Sequence, residues 1–205
     1  MSSGSTMTYG PQQSFVPVSI DLHSLVRRSV ASLYSHLVTR PTGRALRLGI
    51  ESQIVELGDR CLSVLDFRQV VILDYSCADE AVAKLVLRYM GDDRPADAYF
   101  LARGVSDHHL DPIEAVLARH NLALVAEVDD LGFTLLGEVS PMERYAWLAL
   151  QEAGIASADD VAKRLRADIE ETSAALASLA RRRTVIRHAD TPHYCALPVL
   201  LQASA

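Results

Sequence analysis

Three short apolar runs constrain this chain more than any other feature: CLSVLDF at 61–67, AYFLARGV at 98–105 and LALVAEV at 122–128. Each is far shorter than the roughly 18–20 apolar residues of a membrane helix, is bounded by turn residues, and lacks the alternation of a strand with one wet face. Such runs read as strands buried on both faces. The stretches between them carry helical spacing. Ala78, Val82, Leu85 and Tyr89 trace one apolar side, with Glu80, Lys84 and Arg88 together on a side expected to face solvent. Asp111 to His120, opened by Pro112, reads as the next helix, and Asp129-Asp130 turns the chain into FTLLGEV. Strands alternating with helices imply right-handed crossovers and a mixed, mostly parallel sheet. The fold class expected is therefore α/β.

Upstream of these runs, Leu22, Leu25, Val26 and Val30 recur at helical spacing, so a short helix is expected over 16–30. Leu33 to Thr39, followed by Arg40-Pro41-Thr42-Gly43 and then Ala45, Leu46 and Leu48, reads as a β-hairpin. Ile50, Ile54 and Leu57 then mark a helical turn ended by Gly58. The small, polar opening residues suggest a flexible tail over 1–15, which leaves an α/β domain over 16–138.

The pattern restarts at Ser140-Pro141-Met142-Glu143, which combines a helix cap, a first-turn proline and an early carboxylate. Three short helical patterns follow, with Gly154 ending the first and Ser157 opening the second. Thr184 to Ile186 and Tyr194 to Leu197 suit a two-stranded wing. Residues 139–201 are thus expected to be a small α+β winged-helix domain, cleavable from the first near 137–141.

Charge narrows the partners. The chain has a formal net charge of −6, and residues 140–205 balance eight Lys/Arg against eight Asp/Glu, so the whole acidic excess precedes them. Phosphate attraction needs clustered cations, and the one cluster is Arg181, Arg182, Arg183 and Arg187. Those residues are candidate phosphate or DNA contacts, but the helix before them opens with Glu170 and Glu171, which repel a nucleic-acid backbone. Cys61, Cys77 and Cys195 are odd in number and lack CxxC spacing, as expected of buried thiols in a reducing cytoplasm.

The segment LDFRQVVILDYSCADEAVAKL, Leu65 to Leu85, resembles the STAS family, the domain of anti-sigma-factor antagonists, whose pattern is strand, short loop, Asp-Ser-Ser-Gly and helix. Asp66, Val70, Asp74 and Ser76 match, and the resemblance extends over roughly 33–128. It implies a STAS-like mixed sheet with helices and a protein partner. It makes Asp74, Tyr75, Ser76 and Asp79 the partner-binding or switch candidates. Two departures matter. Tyr75 stands where phosphoregulated members carry the modified serine, and Cys77 replaces a glycine. Ser76 also fits a plain capping role, because Ser76-Cys77-Ala78-Asp79 has S-x-x-acid spacing.

Catalytic constellations are weak. Asp107, His108, His109 and Asp111 read as a solvated loop with no second cluster to complete a metal site, and no phosphate-binding glycine motif is present. The expectation is a non-enzymatic, cytoplasmic regulatory protein without cofactor or metal. Its STAS-like domain engages a protein and its winged helix serves as dimerisation or output module. The alternative is a winged-helix transcriptional regulator that binds DNA as a homodimer.

Overall fold

A computed structural model describes residues 27–58 and 60–202. The tail expected over 1–15 and the helix expected up to residue 26 lie outside the described residues. The remainder of that helix is replaced by strand β1, Arg27–Ser32, which pairs in parallel with β3, Cys61–Asp66. A long-range ladder thus overrides a weak local helical spacing.

The expected hairpin is also replaced. Strand β2 is only His36–Leu37, and Arg40–Leu57 is an 18-residue helix, α1, with proline in its first turn. Pro41 fits there because the first helical N–H groups have no partner to lose. Gly43, Ile50 and Ile54 form the buried stripe of α1. Gly43 is required by close approach: a Cβ there would stand 2.7 Å from the Cys77 carbonyl oxygen. Strand β4, Ile72–Leu73, pairs in parallel with β2 and leads into α2, Tyr75–Ala78, a π-helical turn at Asp79–Ala83, and α3, Lys84–Met90. Strand β5, Ala98–Val105, precedes α4, Asp107–Arg119. The Asp107 to Asp111 segment is therefore the first turn of a helix rather than a loop, and Pro112 sits inside that helix. Strands β6, Ala123–Val128, and β7, Gly132–Gly137, complete the sheet.

The sheet order is β1-β3-β5-β6-β7, parallel except for β6 against β7. The parallel strands are laid down in sequence order. Right-handed crossovers between successive neighbours place every connecting helix on the same face. Ile50, Ile54, Val82, Leu85, Ile113 and Leu117 accordingly share one buried cluster with Cys61, Leu65, Phe100 and Leu124 of the strands. The alternate strand positions, Leu62, Val64, Tyr99, Leu101 and Val125, face the other way. This is why the strand runs are apolar throughout: each residue faces one of two dry layers.

The second layer is the C-terminal segment. Helix α5, Pro141–Ala153, is followed by β8, Ile155–Ser157, and α6, Ala158–Leu165. Then come α7, Ile169–Arg181, β9, Val185–Arg187, β10, His193–Ala196, and α8, Val199–Gln202. Ser140, Ser157 and Asp168 cap α5, α6 and α7 with side-chain oxygens, the first two in reciprocal capping boxes. The sequence missed β8, which joins the expected wing in a three-stranded sheet ordered β8-β10-β9. Trp147, Leu150, Leu176 and Leu179 share one apolar cluster with the second face of the main sheet. Two pieces separable at 137–141 were expected, and the apolar cluster runs from the sheet into the C-terminal segment across that junction. The Gly137 N–H donates to Glu114 Oε2 at 2.7 Å and the Glu138 N–H to the Leu122 carbonyl at 3.1 Å, so the junction backbone is also tied down.

Candidate functional site

The carboxyl ends of β1, β3, β5 and β6 point the same way, so the segments leaving them gather at one end of the molecule. Ligand and partner sites in α/β folds favour this end. The β2–β4 ladder lies in it. Val71 N–H donates to the Ser35 carbonyl at 2.7 Å and Asp74 N–H to the Leu37 carbonyl at 3.0 Å, which fastens residues 34–38 to residues 71–75.

Asp74 organises this end. Its Oδ1 accepts from the Cys77 N–H at 2.6 Å and the Ser76 hydroxyl at 2.9 Å, and its Oδ2 accepts from the Thr39 N–H at 2.9 Å. Burial would raise its pKa, but the donors from Thr39, Cys77 and Ser76 outweigh that and hold the carboxyl below its ordinary value. The capping role expected of Ser76 therefore belongs to Asp74. The helix begins two residues earlier than the S-x-x-acid spacing implied, and Ser76 is a helical residue whose hydroxyl donates to the cap. Thr39, held by the same carboxylate, adopts φ 80° and ψ 140°, a conformation sparsely populated by residues other than glycine. Tyr75 is exposed and donates its hydroxyl to Asp111, which raises the phenol pKa.

Asp79, the fourth switch candidate, lies inside rather than on the surface. It and Glu80 sit in the π turn, each only 4% exposed. Glu80 on a solvated side was the expectation, and it fails because the π turn belongs to the middle helix of its layer, flanked by α1 and α4. Arg40 Nη1 donates to Asp79 Oδ2 at 2.9 Å and Glu80 Oε1 at 3.0 Å. Arg47 reaches Glu80 at 3.4 Å, Lys84 also bonds Glu80, and His120 Nε2 lies 2.9 Å from Asp79 Oδ1. Burial works to raise both carboxyl pKa values, but His120 and Arg40 at Asp79, and Lys84 and Arg40 at Glu80, bring them below their ordinary values. Sequence reasoning missed this network. The signal was present in Arg40 and Arg47, seven apart and so on one side of α1, once Pro41 is taken as a helix-opening residue.

Two side chains with nucleophile or base chemistry near this end, Cys77 and His109, are withdrawn from solvent. Cys77 is fully buried and burial pushes its thiol up to about 11, far from the thiolate a nucleophile needs. His109 is buried with both ring nitrogens engaged, Nδ1 with the Ser106 hydroxyl at 3.1 Å and Nε2 with the Val70 carbonyl at 2.9 Å. Among the described residues no group of three or more His, Cys, Asp or Glu side chains is arranged to hold a metal ion. All three cysteines are buried and free.

The arginine cluster is divided. Arg183 donates from Nε to the Ala98 carbonyl at 2.7 Å, pairs with Asp97, and lies 4.1 Å over the Tyr99 ring. Arg182 donates to the Asn121 carbonyl at 3.2 Å and stands 3.6 Å from Glu143 Oε2. Both arginines thus fasten the C-terminal layer to the sheet, while Arg181 and Arg187 remain exposed. Comparison with protein-family models and with curated proteins returns no match. No helix among the described residues is long and apolar enough to cross a membrane.

Proposed function

We propose that this chain is a non-catalytic regulatory protein that docks a protein partner on the carboxyl end of its parallel sheet, around the Asp74–Ser76 turn. One observation carries the reading. Tyr34, Val38, Val71, Ile72 and Tyr75 are 69%, 37%, 60%, 46% and 52% exposed on two segments hydrogen-bonded to each other. Contiguous exposed apolar side chains of this size mark interaction sites. The strand, short loop, Asp-led helix arrangement over 61–78 supports the resemblance to STAS domains, for which a protein partner is the implied class.

The order of elements in the C-terminal layer, helix, strand, helix, helix and two strands, supports reading it as a winged helix. We read it as a fixed second layer that supports the sheet, with dimerisation through its outer surface as its further role. DNA binding loses support, since two of the four candidate arginines are spent within the fold and α7 opens with exposed Glu170 and Glu171.

The test is photocrosslinking in the native host from position 72 and, as a control, from the exposed position 87 on α3. A protein adduct that forms from 72, is absent from 87, and disappears with Val71→Ser is the expected outcome. Equal adducts from both positions, or none from 72, would sink the reading.

A further inference from the structure

We propose that the partner segment received at this end is basic as well as apolar, with Lys or Arg side chains set beside its hydrophobic anchors. This rests on the docking reading above and adds the chemistry of the occupant. The apolar cluster is bordered by acids. Tyr75 bonds Asp111, which lies one helical turn from Asp107 on the same side of α4. The Asp129 N–H donates to the Val105 carbonyl at 2.9 Å, which brings the exposed Asp129-Asp130 turn beside the start of that helix.

None of these four aspartates makes an ion pair among the described residues. Most cations at the same end are engaged by carboxylates, Arg68 also feeling Glu127, and exposed Arg44 on α1 is outnumbered by the four aspartates. Arg40 serves Asp79 and Glu80, while Arg68 and Arg103 both bond Asp66, whose carboxyl lies well below the usual range chiefly because of Arg68. Asp107 complements the amino terminus of α4, but Asp111, Asp129 and Asp130 have no such compensation. The charge left over at the rim is negative.

That balance selects among occupants. A second copy docking through the same end would set acid against acid. The first 26 residues contain no Lys or Arg, so the chain's own amino-terminal segment lacks the complementary charge. Nucleic acid and anionic lipid surfaces are repelled for the same reason. A protein segment with apolar anchors flanked by cations satisfies both halves of the surface, and the charges contribute to encounter rate and choice of partner.

The test uses the full chain and three helical peptides of about 14 residues with one shared pattern: Leu/Lys, Leu/Glu and Ser/Lys. Binding is followed by amide chemical-shift mapping and by titration at low and high salt. The Leu/Lys peptide is expected to bind about tenfold more tightly than either other, to shift residues 34–38, 71–75, 107–111 and 129–131, and to weaken with salt. The triple variant Asp111→Asn, Asp129→Asn, Asp130→Asn should remove most of that preference and flatten the salt dependence. Equal or tighter Leu/Glu binding at the same residues overturns the basic partner while leaving the docking site intact. Equal Ser/Lys binding overturns it by reducing the surface to a diffuse charge. Absence of shifts at 34–38 and 71–75 with both Leu-containing peptides overturns the inference together with the reading beneath it.

Discussion

The two faces of the main sheet are covered by different chemistry. On the crossover-helix face, the middle helix carries two buried carboxylates neutralised by Arg40, Arg47 and Lys84, with His120 in hydrogen-bond contact with Asp79. On the other face, Trp147, Leu150, Leu176 and Leu179 make a dry layer, and ion pairs such as Arg183–Asp97 lie at its rim. Both faces respond to proton concentration, the first through Asp79 and Glu80 in its middle helix and the second through Asp97 and Glu143, which pair with Arg183 and Arg182. A buried ion pair adds little net stability over an apolar pair but makes loss of one partner costly, whereas apolar burial is indifferent to pH. The end proposed to dock a partner is built on the charged face, through Arg40 and the Asp74 cap.

The largest expected effect tests the dry face. Trp147 is fully buried, so Trp147→Ala should lower unfolding free energy by about 3–5 kcal/mol in denaturant melts. The acid dependence of stability should stay as in the parent. A changed acid profile would mean that the apolar layer and the ion pairs are not independent.

Acid titration addresses the charged face. Asp79 and Glu80 have folded pKa values below their unfolded ones, so their contribution is fully present above the unfolded values near pH 4 and is lost as pH falls through the depressed folded values. Glu80→Gln should cost about 1.5–3 kcal/mol at neutral pH and less as the solution is acidified, narrowing the gap to the parent. A gap constant from pH 7 to pH 3 would show that Glu80 acts through shape and not charge.

The smallest effect distinguishes neighbours at the carboxyl end of the sheet. Asp74→Ala should cost about 0.5–2 kcal/mol, since it removes the oxygens that bond Thr39, Cys77 and Ser76. Ser76→Ala should cost less, within about 0.5 kcal/mol, because Ser76 only donates to the cap. Thermal melts of both variants check the order, and the reverse order would return the capping role to Ser76.

The parts of the fold legible in the sequence were those whose signals are local and agree with their surroundings. The strands at 61–66, 98–105 and 123–128 are apolar on both faces, and Ser140 and Ser157 place caps before amphipathic helices. The Pro41 and Gly43 pair was misread because both residues have two meanings. They punctuate turns, but one also opens helices and the other permits the α1 backbone to approach Cys77. Glu80 was misplaced because helical periodicity locates an apolar side but does not reveal that neighbouring helices cover the flanks as well. Of the candidate site, Asp74, Tyr75 and Ser76 were found at one exposed turn, while the apolar surface around them needed the β2–β4 ladder. That ladder joins residues 36 positions apart, through two-residue strands too short to leave a pattern.

The sequential strand order also has a consequence for synthesis. A ribosome delivers β1 through β7 with all their crossover helices before residue 141 emerges, so the first layer can form early. Leu62, Val64, Tyr99, Leu101 and Val125 then wait uncovered until α5 and α7 arrive. For that interval the nascent chain presents a wide apolar sheet to its surroundings, the kind of surface that recruits chaperones or aggregates. The last third of the polypeptide thus determines whether the earlier two thirds remain soluble while they are being made.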